Sequence, residues 1–218
     1  MKIALIDYDS GNLRSAEKAF ERMARTVFDW SEVLVTGAPE DVLEADYVVL
    51  PGVGAFGDCA GGLRAIAGME EALNQRVRKD GRPFLGICVG MQLMAETGLE
   101  NSAGNNNQPY AGLGWVNGSV SALQPADKSL KIPHMGWNEI SCSQAHPVLE
   151  GLDGKTLYFV HSYAFVPADG SDCAAQCDYG GAFCAAIAKD NMFGTQFHPE
   201  KSQVNGLALI ENFLRWRP

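Results

Sequence analysis

The sequence predicts an α/β fold: one mostly parallel open sheet, three layers deep, with helices on both faces. Three observations carry that prediction. In the first half of the chain, short apolar runs alternate with segments of helical spacing, and strands joined by helices imply parallel pairing. A glycine-flanked turn, Gly86-Ile87-Cys88-Val89-Gly90, joins an apolar strand to a helix-like run. Past Gly112 the pattern changes to short β-like runs. At 218 residues the chain fits one domain, 1–218, with a sizeable core.

In order, Lys2 to Asp7 reads as a strand and Leu13 to Met23 as a helix. Val33 to Thr36 is a strand, Pro39 to Glu44 a short helix and Tyr47 to Leu50 a strand. Cys59 to Lys79 has helical spacing, with Leu63, Ile66, Ala67, Leu73 and Val77 on one face. The strand Pro83-Phe84-Leu85 then feeds the glycine-flanked turn, and Met91 to Glu96 reads as its helix. Later β-like runs are Gly118 to Leu123, Thr156 to Val160, Cys184 to Lys189 and Met192 to Gln196. Val204 to Trp216 reads as an amphipathic helix. Asn101 to Tyr110 is polar and turn-prone.

Bulk properties narrow the function. A net charge of −9 argues against nucleic acid as the main partner, since phosphate binding needs a basic face. No stretch has the length and apolarity of a membrane span, and the N-terminus lacks a signal-peptide pattern. The six cysteines are few for disulfide scaffolding in a chain of this length. Cys173-x-x-x-Cys177 lacks the spacing and the second ligand pair of a zinc site, so no metal or cofactor is expected. These features suggest a soluble protein of a reducing, cytoplasmic compartment.

The strand–turn–helix at Cys88 reads as a nucleophile elbow. The glycines admit close backbone approach, and the helix N-terminus favours the thiolate. The alternative is a buried, inert cysteine in a glycine-rich turn. A nucleophile needs a base, and His198 is the best placed of four histidines, in Gln196-Phe197-His198-Pro199-Glu200. Glu200, across a stiffening proline, can orient the imidazole, giving a Cys88, His198, Glu200 set. His146 also precedes a proline but has no carboxylate at the matching place.

A third element, Pro51-Gly52-Val53-Gly54, follows the strand at Tyr47 to Leu50. Backbone N–H groups there, at Gly52, Val53 and Gly54, together with that of Val89 in the elbow, can form an oxyanion hole. A dinucleotide-binding reading is weak, since the spacing is not G-x-G-x-x-G and no acidic residue follows a second strand at the expected place; a flexible βα turn is the competing account of the glycines. Gln92 and Glu96 are one turn apart on the expected helix and share a face. For Glu96 a merely solvated position is the competing reading.

These motifs, in this order, resemble the class I, triad-type glutamine amidotransferases. More narrowly, the chain resembles the glutaminase subunits of imidazole glycerol phosphate synthase. The opening Asp7-Tyr8-Asp9-Ser10-Gly11-Asn12-Leu13 and the run Pro133-His134-Met135-Gly136-Trp137-Asn138 carry the narrower likeness, with Phe159 to Tyr163 and Gly194 to Ser202 completing the set. The resemblance implies that Cys88, His198 and Glu200 hydrolyse glutamine. It also implies that Glu96 meets the glutamine α-amino group, and that His161, Ser162 and Tyr163 bind its α-carboxylate end. It further implies a separate cyclase subunit, a (β/α)8 barrel, that receives the ammonia in histidine biosynthesis. Asn12, Met135, Trp137 and Lys201 are the candidates for its docking face; for Trp137 a core position is the alternative. The chain departs from the family in the Asn-rich segment 101–110 and in a longer stretch from Arg25 to Glu32.

Overall fold

The architecture is that of a computed structural model, which describes residues 1–10, 13–100, 105 and 108–218. Chain order begins β1 (Lys2–Ile6), α1 (Leu13–Val27), β2 (Glu32–Thr36), α2 (Pro39–Glu44), β3 (Tyr47–Gly52). Next come α3 (Phe56–Ala65), α4 (Met69–Leu73), β4 (Phe84–Cys88) and the single turn α5 (Val89–Gln92). The second half adds β5 (Thr97–Gly98), β6 (Tyr110–Ala111), β7 (Gly118–Ala122), β8 (His134–Glu139) and β9 (Ser141–Cys142). It closes with β10 (Thr156–His161), β11 (Tyr163–Pro167), β12 (Cys173–Asp178), β13 (Ala182–Lys189), β14 (Met192–Thr195) and α6 (Gln203–Arg215).

The main sheet among the described residues has eight strands in the order β2-β1-β3-β4-β14-β13-β12-β9. The five strands from β2 to β14 run parallel, and antiparallel pairing takes over from β13 to the β9 edge. Strands β3 and β4 are buried along their whole length, as expected for central strands covered on both faces. Helices α1 and α6 pack together on one side, where Phe20 meets Phe213 edge to face. A four-stranded sheet, β11-β7-β5-β6, and the hairpin-like pair β10-β8 stand beside the antiparallel half. No helix among the described residues is long and apolar enough to cross a membrane.

Three helical expectations change. The run from Cys59 to Lys79 is broken: Ile66 leaves the helix in extended geometry and Gly68 takes φ 84°, so α3 and α4 are separate. The helix after the elbow stops at Gln92, and the chain turns toward β5 at Thr97. Helix α1 extends to Val27, four residues beyond the expected end at Met23. Strands β8, β11 and β12 lie where the sequence pattern predicts none; β8 has alternating burial but carries glycine and asparagine, poor strand formers.

Candidate active site

Cys88 ends β4 and opens α5 with φ 54° and ψ −110°, a region that non-glycine residues rarely occupy. Such a backbone costs on the order of 1–3 kcal/mol and persists only where packing over-determines it. The packing is visible in the flanking glycines. A Cβ on Gly90 would overlap the Leu50 carbonyl oxygen, and one on Gly86 would press into the Gly90 carbonyl. The result is a sharp turn driven against β3, with Cys88 nearly buried at the foot of a cavity.

The partners arrive from the neighbouring strand. β14 lies parallel to β4 with Thr195 opposite Ile87, and the chain continues through Gln196 and Phe197 to His198. His198 Nδ1 lies 2.8 Å from Glu200 Oε1, with side-chain exposures of only 2% and 7%. Burial alone pulls the His198 pKa down. The nearby Cys88 sulfur and the hydrogen-bonded Glu200 carboxylate, which both favour the charged ring, outweigh it and raise the pKa to about 9. The other ring nitrogen, Nε2, is buried with no partner in hydrogen-bonding geometry among the described residues, and so is Glu200 Oε2. The imidazole is thus fixed by a carboxylate on one side, and its free nitrogen is on the side of the sulfur. That is an arrangement for holding and delivering a proton.

A cavity of about 280 Å³ gathers most of the expected residues: Cys88, His198, Val53, Gly54, Val89, Gln92, His161, Ser162 and Tyr163. Glu200 stands behind His198, and Gly52 is paired in register with Cys88 beneath the loop. Val53 is 39% exposed. Its N–H points at Ser10 Oγ, 3.3 Å away, while the same hydroxyl donates to the Val53 carbonyl at 2.8 Å. The loop is therefore clasped by the segment after β1, where Tyr8 also donates to the Pro51 carbonyl at 2.8 Å.

Glu96 lies apart from this group. Its carboxylate is exposed and accepts the Gly118 N–H at 3.1 Å. Because α5 is a single turn, Gln92 and Glu96 do not share a helix face. The acidic residue on the cavity wall is Glu100, which accepts the Phe56 N–H at 2.8 Å and whose pKa burial pushes up. Sequence reasoning missed it, since nothing periodic links it to Cys88. It also missed Gln196, whose Nε2 donates to Cys88 Sγ at 3.6 Å. Strand alternation through Gly194, Gln196 and His198 was a usable signal for that residue.

Among the docking candidates, Met135 and Trp137 alternate outward along β8, 63% and 48% exposed. Trp137 lies edge-on to Tyr158, over whose ring Lys201 Nζ sits at 6.0 Å. Trp137 and Lys201 therefore share one face around Tyr158, with Met135 on the same strand as Trp137, and Trp137 is no core residue; Asn12 lies outside the described residues. All six cysteines are free thiols. No cluster of three metal-binding side chains occurs among the described residues. A larger hollow of about 690 Å³, lined by Cys142, His146 and Glu150 among others, contains none of the expected site residues.

An elbow cysteine beside a buried His–Glu pair, at the carboxyl ends of parallel strands, is an arrangement suited to acyl transfer through a thiol. Residues 4–216 match the family model "glutamine amidotransferase class-I", and the chain belongs to that family. It is 54% identical to "imidazole glycerol phosphate synthase subunit HisH" of Brucella suis biovar 1, over the full length of both chains. It is 52% identical to the protein of the same name from Agrobacterium fabrum, again over the full length of both. A solved structure described as a glutamine amidotransferase matches 97% of each chain with a TM-score of 0.69 at 18% identity, a likeness of fold.

Proposed function

We propose that this chain is the glutaminase subunit of imidazole glycerol phosphate synthase, hydrolysing L-glutamine to glutamate and ammonia. The observation that carries the reading is the cavity in which an elbow thiol meets a buried histidine locked to a carboxylate. Full-length identity to relatives bearing that subunit's name supports the choice within the family.

On this reading the glutamine carboxamide lies over Cys88. The sulfur attacks the carbonyl carbon, and the oxyanion is met by backbone N–H groups of Val89 and the Gly52–Gly54 loop. Protonated His198 gives its proton to the nitrogen as the C–N bond breaks, releasing ammonia and leaving a thioester. Water then attacks the thioester, giving a proton to His198, and glutamate leaves as the C–S bond breaks. Glu200 holds the imidazole throughout. Glu100, on the cavity wall, takes the α-amino group in place of Glu96, and His161, Ser162 and Tyr163 hold the α-carboxylate end. Because Ser10 clasps Val53, turning the Gly52–Val53 peptide toward the substrate requires that clasp to open.

The partner on this reading is a (β/α)8-barrel cyclase, docked over Met135, Trp137 and Lys201. It uses the ammonia to form imidazole glycerol phosphate and aminoimidazole carboxamide ribotide. Free thiols throughout suit the cytoplasm, and one domain spans residues 1–218. Cys88→Ala tests the core of the proposal: glutamate release should fall to background, and appreciable residual turnover would assign the chemistry elsewhere.

A further inference from the structure

Two buried histidines outside the triad, His134 and His161, belong to a chain of hydrogen bonds whose polarity can be read atom by atom. At the outer end, half-buried Asn138 donates from Nδ2 to the Asp178 carbonyl at 2.8 Å. The same nitrogen lies 3.5 Å from His134 Nε2, and Asn138 Oδ1 accepts the Glu139 N–H at 2.9 Å, which fixes the amide's orientation. His134 Nδ1 lies 3.1 Å from His161 Nε2, and His161 Nδ1 lies 2.9 Å from the Tyr163 carbonyl. Gln92 Nε2 donates to that same carbonyl at 3.0 Å and to Gln196 Oε1 at 3.1 Å. Gln196 Nε2 then reaches Cys88 Sγ at 3.6 Å.

The tautomers follow from the partners. A carbonyl oxygen only accepts, so His161 Nδ1 carries the hydrogen and, in the neutral ring, Nε2 is a lone pair. His134 Nδ1 must then be the donor, leaving its Nε2 to accept from Asn138. A second proton on either ring would set two N–H groups against each other. In agreement, burial holds the His134 pKa down to about 4 and that of His161 to about 3. The rings are also pinned mechanically: His134 stacks between Phe159 and Tyr179, and His161 packs against Phe183. None of this is needed to bury the rings, since aromatic neighbours alone would do that.

We infer that Asn138 and His134 are positioning residues for the nucleophile, acting through His161, Tyr163, Gln92 and Gln196 to present an N–H to the Cys88 sulfur. The inference rests on the proposed role of Cys88. Its logic is directional. With Asn138 donating, His161 offers Nδ1–H to Tyr163, the Tyr163 carbonyl stays in place, and Gln92 is held with its N–H groups toward both oxygens. Gln196 then has its oxygen occupied and turns its nitrogen to the sulfur. Reversing the outer end reverses the two tautomers, and His161 then aims a lone pair at the Tyr163 carbonyl. Linked hydrogen bonds of this kind polarise one another, so an end effect is felt along the chain.

Asn138→Asp keeps the shape and removes both donors, and His134→Phe keeps the stacked ring but breaks the chain. The readout is the pH midpoint for alkylation of Cys88 by iodoacetamide, quantified on its own peptide, because only the thiolate reacts appreciably. In both variants the midpoint should rise by about half a pH unit or more. Glutamine turnover should fall by about fivefold. Folding is verified by thermal unfolding; if His134→Phe does not fold, Asn138→Asp decides alone. An unchanged midpoint in any folded variant overturns the relay. Glutaminase activity surviving in Cys88→Ala would instead overturn the assignment on which the relay rests, so the two failures are distinguishable.

Discussion

The two loops that face each other across the cavity are built differently. On one side the elbow around Cys88 has no slack: a Cβ at Gly90 would overlap the Leu50 carbonyl oxygen, and one at Gly86 would come within 2.6 Å of the Gly90 carbonyl oxygen. On the other side Gly54 has φ 110°, and a Cβ there would meet nothing within 4 Å. Val53 beside it is 39% exposed and held by the Ser10 hydroxyl on both backbone groups and, more weakly, by the Cys59 thiol on its carbonyl at 3.5 Å. On the proposed reading the nucleophile and its base are thus prebuilt, while the tip of the oxyanion loop, beyond close-packed Gly52, is adjustable. In the proposed glutaminase, that division places control in the loop and chemistry in the elbow.

The same substitution on the two sides should therefore have very different effects. Gly90→Ala should destabilise the fold by roughly 3 kcal/mol or more, because backbone must move, and should abolish turnover. Gly54→Ala meets only the backbone penalty of a positive φ, on the order of 1 kcal/mol, and should leave a folded protein with altered turnover. Denaturant unfolding of both variants tests the contrast. Equal losses would show the loops to be equally constrained.

Glu200→Gln probes the prebuilt side without disturbing its packing. Loss of the carboxylate should cut glutamine turnover by about 100-fold or more, and should bring the His198 pKa down from about 9. The sign also fixes a stability profile. A histidine whose folded pKa is raised stabilises the fold fully below its ordinary value near 6.5 and loses that contribution as pH rises through about 9. Wild-type stability should fall across that window, and Glu200→Gln should flatten the fall. Histidine NMR and unfolding at several pH values read both effects.

Most of the prebuilt side was legible in the sequence. Glycines at 86 and 90 around a cysteine, after an apolar strand, mark a tight strand-to-helix turn, and His-Pro-Glu supplies its own orienting carboxylate. The central strands were equally plain, because fully buried parallel strands read as continuous apolar runs. The sequence was weakest where geometry breaks periodicity. Helix α5 stops after one turn, so the shared face that spacing gave Gln92 and Glu96 is absent, and where the resemblance pointed to Glu96 the fold puts Glu100 on the cavity wall. Gly68 interrupts what spacing alone reads as one helix. Strand β8 and the histidine pair at its end are held by cross-strand and side-chain contacts that no local pattern announces.

The smallest expected effect is on the adjustable side. Ser10→Ala removes the hydroxyl that engages both Val53 backbone groups, at a partly exposed position. Stability should change by no more than about 1 kcal/mol, while basal glutaminase activity should rise several-fold as the loop is freed. A fall in basal activity would mean that the clasp supports the working loop.

The most direct test of a prebuilt triad behind an adjustable loop is glutamate release from glutamine by the wild-type chain. It is measured alone, with the proposed cyclase subunit, and with that subunit plus a nucleotide ligand of the proposed reaction. A low rate alone, rising strongly only with both, is the predicted result. A high rate from the isolated chain, indifferent to partner and ligand, would show the loop already in its working form and contradict the account.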